Sequence, residues 1–211
     1  MFNRGILRIV KRHFQNNFII YFILISLFIA GNIVGPLLLN GLNRNTKYFF
    51  LRLTNPYIKS MYLINFTNTI VFKNSLINNF LLVLSLGILS LFSIGMIITP
   101  VIILIKGMSI GLMVGYLVDS HGFKGFIISI LGIFPQNLFI ILGVIGLGAV
   151  TMSISNNSKK RTGWIALGVS SPATDDYLPL ILVYVFIVFL SSLIEGYFSS
   201  NILRLILRSY I

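Results

Sequence analysis

Long apolar runs alternate along this chain with shorter stretches that carry most of its charges. The apolar runs cover residues 18–39, 76–97, 100–119, 126–152 and 178–198. Because about 20 apolar residues in a helix cross the roughly 30 Å hydrocarbon core of a bilayer, each run is long enough to span it. Backbone groups in lipid must bond within their own segment, which favours helices. The pattern predicts an all-α, polytopic membrane bundle of about five transmembrane helices, with residues 1–211 as a single domain.

The region 76–118 admits two interpretations, because its first 30 residues are uncharged and exceed one bilayer thickness. One has a long helix that ends at Lys106 and is followed by a re-entrant segment. The other has a break between Gly95 and Pro100, after which a third span carries Lys106 into the membrane. We favour the second because it gives two segments of reasonable length. A further break is predicted at 135–137, where a proline lacks the backbone donor that a helix needs.

Residues 41–75 form the longest polar stretch. They contain five basic side chains and no acid, interleaved with aromatic residues. That mixture is typical of helices that lie in the headgroup region. We therefore predict an interfacial loop here, divided near Pro56.

Composition excludes a water-soluble protein. Of the residues, 56% are hydrophobic and only 9% are charged, against about 25% charged in soluble domains. The absence of cysteine rules out disulfides and thiolate metal sites. We expect no cofactor and no metal.

The charge is strongly positive, with 16 basic residues against four acidic ones. The basic residues flank the apolar runs, where they interact with lipid headgroups, so membrane lipid and not nucleic acid is the expected partner. Counting basic residues on the two sides gives equal numbers. Only the cluster before residue 18 favours a cytoplasmic N-terminus.

Three glycines repeat every four residues in the middle of the chain: Gly107, Gly111 and Gly115. Small residues at this spacing let two helix backbones approach closely in lipid. The stripe predicts either packing within the chain or the seam of a homodimer.

Four polar residues fall inside or beside the apolar runs: Lys106, Gln136, Asn137 and Glu195. Ionisable groups in a bilayer are costly, so Lys106 and Glu195 either pair with each other or extend toward water from helix ends. The two amides follow a proline, where they can satisfy the freed backbone carbonyl or bond across helices.

The segment 107–111 also matches G-x-S-x-G, with Ser109 at the position of a serine nucleophile and His121 nearby. That motif requires a strand-to-helix turn, whereas this segment has the apolar pattern of a membrane helix. An intramembrane serine hydrolase is therefore the weakest hypothesis. A transporter or channel subunit is a stronger alternative, because broken helices form binding sites in transporters.

The same places in the chain resemble the stage II sporulation protein M family, polytopic membrane proteins of endospore-forming bacteria. The matching residues are Ile77-Asn78-Asn79-Phe80, Lys106-Gly107 with Gly111 and Gly115, Gly122-Phe123-Lys124-Gly125, Phe134-Pro135-Gln136-Asn137-Leu138 and Ser191-Ser192-Leu193-Ile194-Glu195-Gly196-Tyr197. The broader family tends to have histidine and glutamate around the proline motif, where this chain has Gln136 and Asn137. That difference argues against metal or acid-base chemistry there.

The resemblance implies a non-catalytic scaffold in the cell membrane, on the mother-cell side of the sporulation septum. Its implied partners are two peptidoglycan hydrolases, stage II sporulation proteins D and P, which remodel septal wall during engulfment. With the N-terminus inside, the loop 41–75 faces outward. Its positive charge would attract an acidic partner segment or an anionic wall polymer.

Overall fold

The chain is mainly helical in the part that the structure, a computed structural model, describes: residues 2–41, 43, 45–46, 68–165, 177–199 and 201. The α-helices are α1 (Phe2–Asn16), α2 (Phe18–Asn40), α3 (Asn68–Ser90), α4 (Gly95–His121), α5 (Phe123–Ile128), α6 (Phe134–Ile165) and α7 (Leu178–Leu193). Two π-helical segments, Ser129–Ile133 and Ile194–Ser199, follow α5 and α7.

Five helical stretches in the described residues are long and apolar enough to cross a membrane. They are Phe18–Leu38, Asn68–Ser90, Gly95–Asp119, Phe123–Ser155 and Leu178–Ser199. Large apolar side chains cover the outside of these stretches, as expected where lipid is the solvent. The predicted all-α polytopic bundle of about five spans is confirmed.

The fourth stretch is the centre of the bundle. In its apolar segment 78% is buried, whereas the buried share is at most 33% in each of the other four stretches. Helices α2, α3, α4 and α7 all pack against α6. Fully buried residues such as Ala149 and Val150 lie in the main hydrophobic core that these helices share.

The predicted interfacial loop 41–75 is wrong at its C-terminal end, because α3 begins at Asn68. Val71, Ser75 and Asn79 are buried on one face of this helix, while Lys73 is exposed. Polar residues in the first two turns of α3 lower the hydropathy of residues 68–75, although this part of the helix already packs into the bundle. Residues 47–67 of the predicted loop lie outside the described part of the chain.

The boundary between the second and third spans also differs from the prediction. Helix α3 ends at Ser90, and α4 starts at Gly95 and continues through Pro100 to His121. A proline near the start of a helix removes one hydrogen bond without ending the helix. Lys106 therefore lies within a continuous helix, with no re-entrant segment.

No break occurs at the predicted position 135–137. The chain stays helical from Phe123 to Ile165, and a π-helical segment precedes α6. Pro135 therefore lies inside a continuous helical stretch, directly after the π-helical segment, although it lacks a backbone donor. The wider π turn absorbs the local mismatch that the sequence interpretation assigned to a break.

Helix α6 also extends ten residues past Ser155, the end of the fourth apolar stretch. The segment between the fourth and fifth predicted spans, residues 153–177, is therefore helical up to Ile165. Lys159, Lys160 and Arg161 belong to that extension. Residues 166–176 lie outside the described part of the chain.

Candidate functional site

A set of hydrogen-bonded polar side chains is buried between α3 and the end of α7. We call it the polar array, formed by Ser75, Asn79, Ser192 and Glu195. Ser75 Oγ donates to Glu195 Oε2 at 2.6 Å. Asn79 Nδ2 donates to Ser192 Oγ at 2.9 Å and to Ser75 Oγ at 3.3 Å. The two helices are thus linked by direct polar contacts inside the bundle.

Helical spacing explains why these residues meet. Ser75 and Asn79 are four residues apart on α3, and Ser192 and Glu195 are three apart at the end of α7, so each pair shares one helix face. All four are buried, with Glu195 the most exposed at 8%. Buried polar groups in lipid need such partners, because an unpaired one is costly.

Gln136 and Asn137 take separate roles after the π-helical segment. Gln136 is buried, and its backbone carbonyl oxygen accepts a hydrogen bond of 2.9 Å from Ser191 Oγ. Asn137 Nδ2 donates instead to the Ile133 carbonyl oxygen at 2.8 Å, within its own helical stretch. Gln136 therefore joins α6 to α7, while Asn137 satisfies a backbone carbonyl group close to the proline.

Lys106 is half-buried in the middle of α4 and lines a small cavity. The other residues that line it are apolar: Phe28, Ile103, Ile140, Ile141, Val144 and Ile145. Lys106 and Glu195 belong to different helical stretches but lie close enough to influence each other electrostatically. The structure thus brings the two sequence-predicted ionisable residues into electrostatic range, with Ser75 as a hydrogen-bond partner of the carboxylate.

The three predicted glycines pack α4 against α2. A methyl group at Gly107 would meet the Phe28 carbonyl oxygen, and one at Gly111 would meet the Asn32 carbonyl oxygen. At Gly115 it would fall 2.8 Å from Pro36 Cβ. This glycine face is therefore occupied within the chain, as one of the two sequence interpretations proposed.

The sequence analysis missed the matching glycines on α2. A Cβ at Gly31 or Gly35 would collide with the backbone of α4 around Leu104 and Met108. Gly31 and Gly35 are also four residues apart in an apolar run, so the same spacing rule was sufficient to find them.

Ser109 and His121 are not brought together. Both lie in α4, and twelve residues of helix separate them by about 18 Å along the axis. A serine and its general base must lie within hydrogen-bond distance. These two residues therefore do not form a nucleophile–base pair.

A second buried polar group, absent from the sequence analysis, joins α1, α2 and α7. His13 Nδ1 is hydrogen-bonded to the Tyr21 hydroxyl at 3.1 Å, and that hydroxyl is bonded to the Tyr184 hydroxyl at 2.9 Å. Burial lowers the pKa of His13. The available signal was its position in α1, on the side of the helix opposite the basic residues.

Within the described residues, no group of three or more histidine, cysteine, aspartate or glutamate side chains is arranged to hold a metal ion. The arrangement chemically suits holding helices together. The serine and asparagine groups donate to one another and to Glu195, and the glycines bring backbones into contact.

The fold and these buried contacts define a multi-pass α-helical membrane protein. The family model described as Stage II sporulation protein M matches residues 18–200. The chain belongs to this family and is a sporulation-related membrane protein. No curated protein and no solved structure matches the chain.

Proposed function

We propose that this protein is a non-catalytic scaffold in the membrane of the sporulation septum, on the mother-cell side. It recruits the wall hydrolases stage II sporulation proteins D and P, which remodel septal peptidoglycan during engulfment. Membership of the family supports the sporulation role.

The observation that carries the proposal is the internal pairing of the intramembrane polar groups. Asn79 and Ser75 direct their donors to neighbours in the polar array, and the glycines hold α2 and α4 in backbone contact. Transport requires a substrate site whose halves move apart. A bundle fixed by such contacts is better suited to presenting constant surfaces to partners.

The expected contact surface is the basic segment within 41–75, most of which lies outside the described residues. It follows α2 and precedes α3, so with a cytoplasmic N-terminus it emerges on the outer side, where wall hydrolases act. Its positive charge would increase the rate of encounter with an acidic partner segment.

The test is affinity purification of the tagged chain from sporulating cells after mild crosslinking. We expect proteins D and P to be recovered with the wild type. The variant K47Q/R52Q/K59Q should recover at least several-fold less. The control K159Q/K160Q/R161Q removes the same number of charges from the end of α6 and should recover the wild-type amount. Recovery of an ATPase without hydrolases would contradict the scaffold and indicate a transporter.

Catalysis is tested separately with Ser109→Ala. The scaffold proposal expects normal engulfment, because a scaffold acts through contacts with its partners and needs no reacting hydroxyl group. Loss of engulfment at wild-type protein level and localisation would restore the hydrolase hypothesis.

A transporter or channel subunit is the second candidate, favoured by one observation: two ionisable residues, Lys106 and Glu195, lie within the spans and in electrostatic range of each other. Charged groups at this depth often mark ion pathways. The comparison of Glu195→Gln with wild type at matched protein level separates the two. A transporter predicts that Glu195→Gln abolishes engulfment while proteins D and P are still recovered. A scaffold predicts that engulfment and the recovery of D and P are lost or kept together.

A further inference from the structure

Helix α1 has two different faces. Its basic residues are Arg4, Arg8, Lys11 and Arg12. At 100° per residue, Arg8, Lys11 and Arg12 fall within an arc of about 100°, which we call the basic face. Arg8, Lys11 and Arg12 are exposed, and α1 contains no acidic residue.

The opposite face of α1 is packed into the bundle. His13 is 7% exposed and bonds to Tyr21 on α2, and its ring lies 5.8 Å from the ring of Tyr177, edge to face. Val10 packs against the main hydrophobic core. These contacts fix the rotation of α1, so the basic face is turned away from the protein.

The contacts also place α1 at one end of the bundle, beside the start of two spans and the end of a third. Tyr177 immediately precedes α7, and α2 starts at Phe18, one residue after Asn17. Ser153 Oγ on α6 donates to Asn17 Oδ1 at 3.1 Å, close to the point where the fourth span ends. One end of each of three spans therefore lies near the C-terminal end of α1.

Exposed aromatic rings continue from α1 down the outside of α2. Phe14, Phe18 and Phe22 are 40%, 55% and 62% exposed, and their successive ring centroids are 5.7 and 6.5 Å apart. We call these three residues the aromatic column. Such rings favour the boundary between acyl chains and headgroups.

We propose that the basic face of α1, together with the aromatic column, binds anionic phospholipid headgroups of the leaflet on the α1 side. A phospholipid offers a phosphate above apolar chains, and this surface offers guanidinium and ammonium groups above exposed phenyl rings. A soluble polyanion would match the charges but leave the rings without a partner. This binding does not depend on the scaffold role.

The α6 extension adds to the positive charge of the same end. Ser153 contacts the α1–α2 junction, and the helix continues beyond it through Lys159, Lys160 and Arg161. Juxtamembrane basic residues contribute attraction to anionic lipid that falls off within a Debye length.

The test uses the full chain purified in mild detergent and incubated with equal amounts of phosphatidylglycerol and phosphatidylcholine. Native mass spectrometry counts the lipids retained. We expect the wild type to prefer phosphatidylglycerol, and R8Q/K11Q/R12Q to reduce that preference on the order of tenfold, since each basic residue near an anionic surface contributes measurably.

Two variants serve as controls. The charge-preserving R8K/K11R/R12K should keep the preference. K73Q/R204Q/R208Q removes the same number of charges, with Lys73 at the start of α3 and the two arginines after Asn201 in the sequence, and should also keep it. Equal retention of both lipids by the wild type, or equal loss in this second control, would overturn the proposal. Binding of a DNA oligonucleotide without lipid preference would overturn it in favour of a soluble polyanion.

Discussion

Glu195 is a carboxylate in a place where charge is expensive. It is 8% exposed in the π-helical segment after α7, and Ser75 donates to it from α3. An ionised group in low dielectric must be compensated by hydrogen bonds or opposite charge. Ser75 supplies that hydrogen bond, and Lys106 is the basic residue within electrostatic range.

Ser75→Ala should destabilise the bundle by about 1–2 kcal/mol, because the carboxylate loses a hydrogen bond while staying buried. The measurement is unfolding in detergent monitored by circular dichroism. The matched control is Ser85→Ala on the same helix, where the hydroxyl donates only to the Leu82 carbonyl oxygen of its own helix and the expected change is below about 0.5 kcal/mol. Equal effects of the two substitutions would contradict the role given to Ser75.

His13 makes the docking of α1 sensitive to pH. Burial lowers its pKa below the ordinary value of about 6.5, so the docked helix binds fewer protons than the undocked one. Docking is fully stable above pH 6.5 and weakens as the pH falls below it, toward the lowered pKa of the docked state.

A nitroxide at V10C, half-buried against the core, should report this change as increased mobility between pH 7.5 and pH 5.5. The chain has no cysteine, so the label is unique. His13→Gln should remove the pH response, whereas His121→Gln, the substitution of the other of two histidines, should leave it intact. A response that survives in His13→Gln would assign the titration to another group.

At the scale of elements, α2 and α4 pack closely because each helix contributes glycines to their contact. Gly31 and Gly35 face α4, and Gly107 and Gly111 face α2, so backbone meets backbone. In lipid, where the hydrophobic effect does not drive helices together, such close contact supplies much of the association energy.

Gly111→Ala should separate α2 from α4 and cost about 1–3 kcal/mol, because the new methyl group meets the Asn32 carbonyl oxygen and a backbone atom cannot rotate away. The control is Gly87→Ala on α3, where a Cβ has open space and the better helix propensity of alanine should be neutral or stabilising by up to about 1 kcal/mol. Thermal unfolding of both variants in the same detergent gives the comparison. A destabilised Gly87→Ala with an unaffected Gly111→Ala would reverse this assignment.

The stretch around Pro135 shows how an element adapts to its sequence. A proline in an apolar run predicts a break, yet Phe123–Ile165 is helical throughout. The π-helical turn before the proline and the bond from Asn137 to Ile133 accommodate it locally. The hydropathy pattern carries no information on such turns, because it reports burial and not hydrogen-bond register.

For the whole molecule, the five apolar spans of the described residues are an odd number, which predicts that α1 and Asn201 lie on opposite sides of the membrane. The contacts agree with this order: Ser155 bonds to Leu89 at one end of the bundle, and Asn68 bonds to Asn201 at the other. With a cytoplasmic N-terminus, Asn201 is therefore on the outer side.

Single cysteines at Gln15 and Asn201, both exposed, test this topology in intact cells with a membrane-impermeant maleimide. N201C should be labelled from outside, and Q15C only after the membrane is permeabilised. The same label appearing at both positions before permeabilisation would exclude an odd number of crossings.

The sequence by itself determined the class of this protein. Its 9% charge and its apolar runs leave only a membrane bundle, because the cost of exposing so much apolar surface to water is independent of the detailed fold. The glycine spacing at 107, 111 and 115 and the choice of Lys106 and Glu195 likewise followed from local chemistry.

Only the tertiary structure decided what these residues contact. Ser75 lies in a helix where the sequence predicts a loop, and His13 is buried in a contact that the sequence did not predict. The partners of Gly107 and Gly111 are Phe28 and Asn32, on a helix about 80 residues earlier in the chain. A hydropathy profile records how apolar each position is, whereas a hydrogen bond or a backbone contact depends on the rotation and depth of two helices at once. That relative placement is set by the packing of the whole bundle, so it is absent from any single segment.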